Sequence, residues 1–156
     1  MDQRISEQLA AMPEVLERAF EDLAADACTR PGPGGTFSPV EHCWHLADLE
    51  REGYALRIRR LLAEDEPQLP DFDGARIAAE RDYRRRSLAE GLTAFRNARS
   101  DNLSVLRSVT PPQWSRSGTQ AGVGRITLAD IPRMMVEHDA SHRVEIEAWF
   151  RHTATI

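Results

Sequence analysis

Apolar and polar positions recur along this chain with helical period. Ile5, Leu9, Met12, Leu16, Ala19 and Leu23 follow one another at steps of three and four, which places them on one stripe of an amphipathic helix. Pro13 falls inside that stripe and predicts a kink or a late start, because proline removes one intrahelical hydrogen bond. A second segment opens at Ser38-Pro39, a capping residue before the proline favoured at the first helical position, and runs to about Glu64. Its main stripe is Val40, Trp44, Ala47, Tyr54, Ile58 and Leu61, with Leu46, Leu49 and Leu56 forming a weaker one on the far side. Apolar residues on two sides predict an inner helix or one that also meets a partner subunit. The third segment, roughly Ala75 to Val109, turns Leu88, Leu92, Phe95 and Leu106 inward, with Gly91 as a soft point. The fourth starts after Thr127, where Asp130 completes a capping box, and continues to about Arg151.

Most of the nine glycines and nine prolines fall between these segments, at Pro31–Pro39, Pro67–Gly74 and Pro111–Gly124. The segments themselves are rich in Ala, Leu, Glu and Arg, which is helix composition. Four helices in one domain over 1–156 predict an all-α four-helix bundle. The stretch from Trp114 to Ile126 is too long for a tight turn between helices. Its serines and glycines predict an irregular or hairpin-like excursion, of a length that often forms lids or mouths. The run from Arg81 to Arg86 reads as a solvated helix face, since acids interleave on both sides.

Composition narrows the function classes. A chain of 156 residues at 41% hydrophobic can close its own core. No stretch approaches the ~18 uncharged apolar residues of a membrane span, and no basic start followed by an apolar run marks a secretory signal. A net charge of −5 argues against a nucleic-acid partner, which needs a basic face. The expectation is a cytoplasmic protein with neither membrane nor nucleic acid as partner. Cys28 and Cys43 belong to no C-x-x-C pair and read as small buried apolar groups. All 20 basic residues are arginine, so a lysine Schiff base or lysine general base is ruled out.

The histidines carry the chemistry. On a helical wheel, Leu128, Ile131, Met135, Ile146 and Trp149 share one stripe of the fourth segment, and His138 and His142 fall inside it. They stand on adjacent turns of the same face. Burying an imidazole without a partner costs roughly 1–3 kcal/mol. Two accounts satisfy this pair: ordinary hydrogen-bonded core histidines, or an i,i+4 couple whose ring nitrogens converge on one metal ion. A third ligand would decide, and the second segment offers both His42 and His45, between which periodicity does not choose. Met134, Met135 and Trp149 read as core packing, and Cys43 points to a different face from His45. Glu52, two turns after His45, and Glu145, one turn after His142, are candidates to orient the imidazoles or act as general base; solvated carboxylates are the plainer reading of both.

The segment Phe37-Ser38-Pro39-Val40-Glu41-His42-Cys43-Trp44-His45-Leu46-Ala47-Asp48-Leu49-Glu50 resembles the opening motif of the DinB/YfiT-like superfamily, a hydrophobic-Ser-x-x-Glu start followed by His-Leu-Ala-Asp-x-Glu. Ile126 to Ile131, then Glu137-His138-Asp139-Ala140-Ser141-His142, is similar to its closing motif, His-Asp-x-x-His on the last long helix. The resemblance spans nearly the whole chain in matching order. It implies an up-down-down-up bundle with a long loop before the last helix, usually a homodimer, in which three histidines hold one divalent metal ion per chain. By position the ligands are His45, His138 and His142, and His42 falls outside the pattern as a supporting or surface residue. Thiol-isomerase relatives carry Glu at the position of His138, so the chain is similar to the three-histidine branch, which includes thiol-transferase-like members. Three neutral imidazoles suit zinc, nickel, iron or copper without choosing among them, and the expectation is one divalent ion per chain, zinc or nickel ahead of iron or copper. Three protein ligands leave a coordination position open, as catalytic sites do. The implied activity is hydrolysis or thiol S-transfer on a small molecule, with a low-molecular-weight thiol as the partner in the second case. The alternative is a non-catalytic, stress-associated binding or sensor bundle whose metal is structural.

Overall fold

Helix α1 (Gln3–Phe20) begins where the Asp2 carboxylate accepts the amides of Arg4 and Ile5. It buries Leu9, Met12, Leu16 and Phe20, while Leu23 lies beyond its end. The computed structural model describes residues 1–154, so the last two positions of the expected 1–156 domain lie outside the described residues. Pro13 does not interrupt α1. The Leu9 carbonyl, which a Pro13 amide would have bonded, instead accepts a hydrogen bond from Arg99 Nη1 at 2.9 Å.

Helix α2 (Pro39–Asp48) is opened by a capping box, in which the Glu41 carboxylate accepts the Ser38 amide at 2.9 Å and hydroxyl at 2.7 Å. All its residues are buried, so both of its apolar stripes are covered within the chain itself. The helix passes through one wide π turn (Leu49–Tyr54) into α3 (Ala55–Ala63), which matches the extent expected for the second segment. The π turn has a visible cause. Asn102 Nδ2 donates both to the Glu50 carbonyl at 2.9 Å and to the Glu50 carboxylate at 2.6 Å.

The third segment departs from expectation. It forms two helices, α4 (Gly74–Glu80) and α5 (Leu88–Ser108), joined by a short 3-10 turn at Tyr83–Arg85. The break follows from what the arginine run does. Arg81 reaches the Asp48 carboxylate at 2.5 Å and Glu52 at 2.8 and 2.9 Å, and the Tyr83 hydroxyl donates to Asp48 at 2.6 Å. Arg84 Nε donates to Glu41 at 3.0 Å, and the Arg86 guanidinium lies 4.4 Å over the Trp44 ring. The run is therefore a clasp onto α2 and the turn after it, with Asp82 taking the left-handed backbone (φ +46°) that lets the chain double back. Ser87 then caps α5 by accepting the Glu90 amide. Gly91 is a point of close packing and not a soft one, since a Cβ there would lie 3.0 Å from Cys43 and 3.1 Å from Trp44.

Helix α6 (Ile131–Thr153) follows a capping box in which Asp130 accepts from the Thr127 amide and hydroxyl. The stretch before it is a hairpin of antiparallel strands β2 (Ser117–Gln120) and β3 (Gly124–Thr127), as its composition suggested. A two-residue strand, β1 (Gln68–Leu69), adds to β2 in parallel. The four long helical stretches enclose a core that a polar layer divides in two. On one side lie Met12, Leu16, Trp44, Phe95 and Ile146; on the other, Leu9, Leu49, Ile58, Leu103 and Met135. Between them sit Glu50, Arg99, Asn102, Asp139 and the histidines, all drawn from the middles of the helices. Among the described residues no helix is long and apolar enough to cross a membrane.

Candidate metal centre

His45 on α2 and the His138/His142 couple on α6 come together at that layer. His138 Nε2 lies 3.3 Å from His45 Nε2 and 3.2 Å from His142 Nε2. One neutral imidazole nitrogen carries either a single hydrogen or a single lone pair, so His138 Nε2 cannot bond fully to both neighbours. One cation satisfies all three lone pairs. Nitrogens about 2.0–2.1 Å from a tetrahedral ion lie roughly 3.3–3.4 Å apart, which the two measured separations match closely. The donor set and its spacing thus fit a divalent metal ion, and the trio is one of two groups in the described chain able to hold one. Phe37 covers the trio, its ring stacked on His142 and tilted against His45.

Each ligand candidate is held from behind. The Gly74 backbone at the start of α4 lies against His45, and a Cβ there would come within 2.3 Å of the ring. On α6, Asp139 is held by Arg99 in a paired hydrogen bond (2.8 and 2.9 Å), which fixes the turn carrying His138. His142 Nδ1 lies 2.8 Å from His42 Nδ1. His42 is thus neither a surface residue nor a member of the trio: it is 1% exposed and partners a candidate ligand. Its other nitrogen, Nε2, is 3.9 Å from the Glu145 carboxylate, which also stands 3.8 Å from His142 Nδ1; His42, His142 and Glu145 form the second group able to hold an ion. Of the two carboxylates singled out from sequence, Glu145 therefore lies beside the site. Glu52, in the π turn after α2, is engaged by Arg81 instead and belongs to neither group able to hold an ion.

Burial sets the electrostatics. It pushes His42 down to about 4, His45 to about 3 and His142 to about 2; His138 is also lowered, chiefly by burial, with Asp139 opposing and Arg99 and Arg57 assisting. Neutral imidazoles are the ligand form. The pH dependence of the metal-free chain follows. An unfolded histidine titrates near ~6.5. Below that pH the unfolded chain takes up protons that the folded rings refuse, so stability falls as pH drops from about 6.5 towards the folded values. Thermal melts of the metal-free protein should therefore show a Tm at pH 5.5 several degrees below that at pH 7.5. A flat profile would mean the rings are solvated.

His45 and His138 of the trio open on a cavity of about 350 Å³, lined also by Tyr54, Arg57, Phe72, Gln120 and Glu137, among others. Four buried side-chain polar atoms in the described chain lack a hydrogen-bond partner: His42 Nε2, His45 Nδ1, Arg57 Nε and Gln120 Oε1. All four belong to the trio, its supporting ring or this cavity wall, which is the distribution expected of a binding site rather than of packing error. Arg57, Gln120 and Gly74 were not singled out from the sequence. Arg57 had a signal, a charge on the apolar stripe between Tyr54, Ile58 and Leu61. Cys43, Met135 and Trp149 are core residues as expected, whereas Met134 reaches the cavity.

A family model described as the DinB superfamily matches residues 8–146. Among solved structures, YfiT from Bacillus subtilis has the same fold, with a TM-score of 0.88 over 99% of this chain and 90% of that one, at 20% sequence identity. YfiT is described as a probable metal-dependent hydrolase with an unusual four-helix bundle topology. No curated protein matches the chain. With the family model spanning nearly its whole length, the chain belongs to the DinB superfamily.

Proposed function

We propose that this protein holds one divalent metal ion, zinc or nickel, at His45, His138 and His142 and uses it to hydrolyse a small molecule. The observation that carries the reading is the approach of the His45 and His142 ring nitrogens to within 3.2–3.3 Å of His138 Nε2, with His45 and His138 on the wall of a cavity of about 350 Å³. A divalent ion there would supply Lewis acidity, activating water and polarising a carbonyl or phosphoryl oxygen. The chain's own residues do the rest. His42 accepts a hydrogen bond from His142 Nδ1, which fixes the tautomer that leaves Nε2 free to ligate. Arg99 and Asp139 fix the helix turn, and Phe37 and Phe72 exclude water from the flank of His45. Glu137, exposed on the cavity wall, stands one residue from His138 where it can exchange a proton with solvent.

A structural metal would call for a closed sphere of protein ligands, and the trio has three. Thiol S-transfer uses the same open position, with a thiolate in place of water, and a homodimer is the family's usual assembly; both stand as expectations. The test is a screen of the metal-loaded chain against small esters, amides and phosphoesters, with and without a low-molecular-weight thiol. Hydrolysis without thiol should vanish on chelation and return with zinc or nickel, while the chelated chain stays folded by circular dichroism. Turnover that survives complete metal removal, or a chelated chain that unfolds outright, would sink the catalytic reading.

A further inference from the structure

The cavity beside the trio contains a cation without a partner. Arg57, on α3, is 4% exposed, yet its guanidinium makes no hydrogen bond and no ion pair with any described residue. Its immediate neighbour is the Tyr54 ring, 5.6 Å from the guanidinium carbon. Of the acids facing it, Asp71 and Glu137 are exposed on the rim: Asp71 attracts the guanidinium from beyond ion-pair distance, and neither forms an ion pair with it; Tyr54 spends its hydroxyl proton on the Met134 carbonyl at 3.4 Å. The other fully buried arginine is the internal contrast. Arg99 is 1% exposed and has Glu50, Asp139 and the Leu9 carbonyl as partners. A buried charge without a counterion is strongly unfavourable, so a chain that keeps one on a cavity wall keeps it for something that enters the cavity.

Resting on the hydrolase reading above, we infer that the substrate carries a carboxylate, which docks as a bidentate pair on Arg57 and sets the neighbouring bond at the histidine trio. The guanidinium fork matches a planar carboxylate. Asp71 and Glu137 on the rim of the same cavity repel a phosphate dianion more than a monoanion. Gln120 Oε1, buried and unpartnered on the same wall, accepts an N–H or O–H next to the carboxylate. The class is therefore an N-acyl amino acid or a hydroxy-acid derivative.

The test uses N-acetylglycine and its primary amide as paired probes, with inorganic phosphate as the competitor, in NMR titrations of the zinc-loaded and the zinc-free chain. N-acetylglycine should bind and perturb the signals of Arg57 and Gln120, and the amide should bind roughly tenfold to a hundredfold more weakly, the worth of a charge-assisted hydrogen bond. Arg57→Met should lose the carboxylate preference and melt at or above the temperature of the unsubstituted chain, since it removes an unpaired buried charge. Arg57→Lys should retain weak carboxylate binding. Equal binding of acid and amide, tighter binding of phosphate, or an Arg57→Met chain that is destabilised with its carboxylate binding intact would overturn the inference. Because the zinc-free chain is titrated in parallel, failure to bind zinc at all overturns the metal reading and leaves the Arg57 result to stand or fall by itself.

Discussion

His142→Ala should emerge from purification in metal-replete medium with no bound divalent ion, where the unsubstituted chain carries one. Two of the three nitrogens would remain, and His142 contributes the one 3.2 Å from His138 Nε2. A tight site occupied at a thousand times its Kd stabilises the fold by about 4.1 kcal/mol. For a chain of this size that corresponds to a rise in Tm of roughly 8–16 °C, at about 2–4 °C per kcal/mol. The rise on adding zinc should be present in the unsubstituted chain and absent in His142→Ala and His138→Ala. His42→Leu separates a ligand from its support: its ion should remain but bind roughly 10–100-fold more weakly, as when an outer partner of a ligating histidine is lost. His42→Asn, which places an acceptor near the position of the lost Nδ1, should recover part of that affinity. Elemental analysis and zinc competition read all four variants. Equal metal content across them, with identical melts, would return the histidines to ordinary core packing.

Arg99→Met should be the most destabilising single change away from the histidines. The guanidinium donates to Glu50 at 2.8 Å, to both oxygens of Asp139, and to the Leu9 carbonyl left free by Pro13. Burial pushes the Glu50 carboxyl up, and Arg99 is the main influence pulling it back down. Removing the cation leaves two buried carboxylates facing each other, a loss of about 3–5 kcal/mol by analogy with broken buried ion pairs. The melt should drop by roughly 6–20 °C. The damage should also reach the metal centre, because Asp139 adjoins His138. The triple change Arg99→Met, Glu50→Gln, Asp139→Asn removes the charges together and should recover much of the stability, though not the order of α6. A single variant that melts like the unsubstituted chain would show that the network is solvated.

The two predictions differ in how visible their residues were in the sequence. His138 and His142 share a face through local geometry, since positions four apart stack on adjacent turns whatever the tertiary fold. The caps at Ser38 and Thr127 were equally readable, because each box closes within three residues. Nothing local marks Arg99, Glu50 and Asp139 as a buried group, since Arg99 is 49 residues from Glu50 and 40 from Asp139. Only packing distinguishes a buried charge from a solvated one. The arginine run at 81–86 is solvated at Arg84, Arg85 and Arg86, as its composition indicates, but it is not a regular helix face, because Asp48, Glu41 and Trp44 across the fold draw it into a turn.

By itself, then, the amino-acid order determined the first, second and last helical stretches, the caps at Ser38 and Thr127, the excursion before the last helix and the pairing of two imidazoles on one face, all consequences of contacts a few residues apart, but not the break in the third stretch. Periodicity left His42 and His45 open and the family resemblance named His45; the tertiary structure alone decided that His42 stands behind the pair and that Arg57 is buried beside the cavity with no ion-pair partner among the described residues. Those outcomes depend on how far helices slide and rotate against one another, a matter of long-range packing that no local pattern encodes.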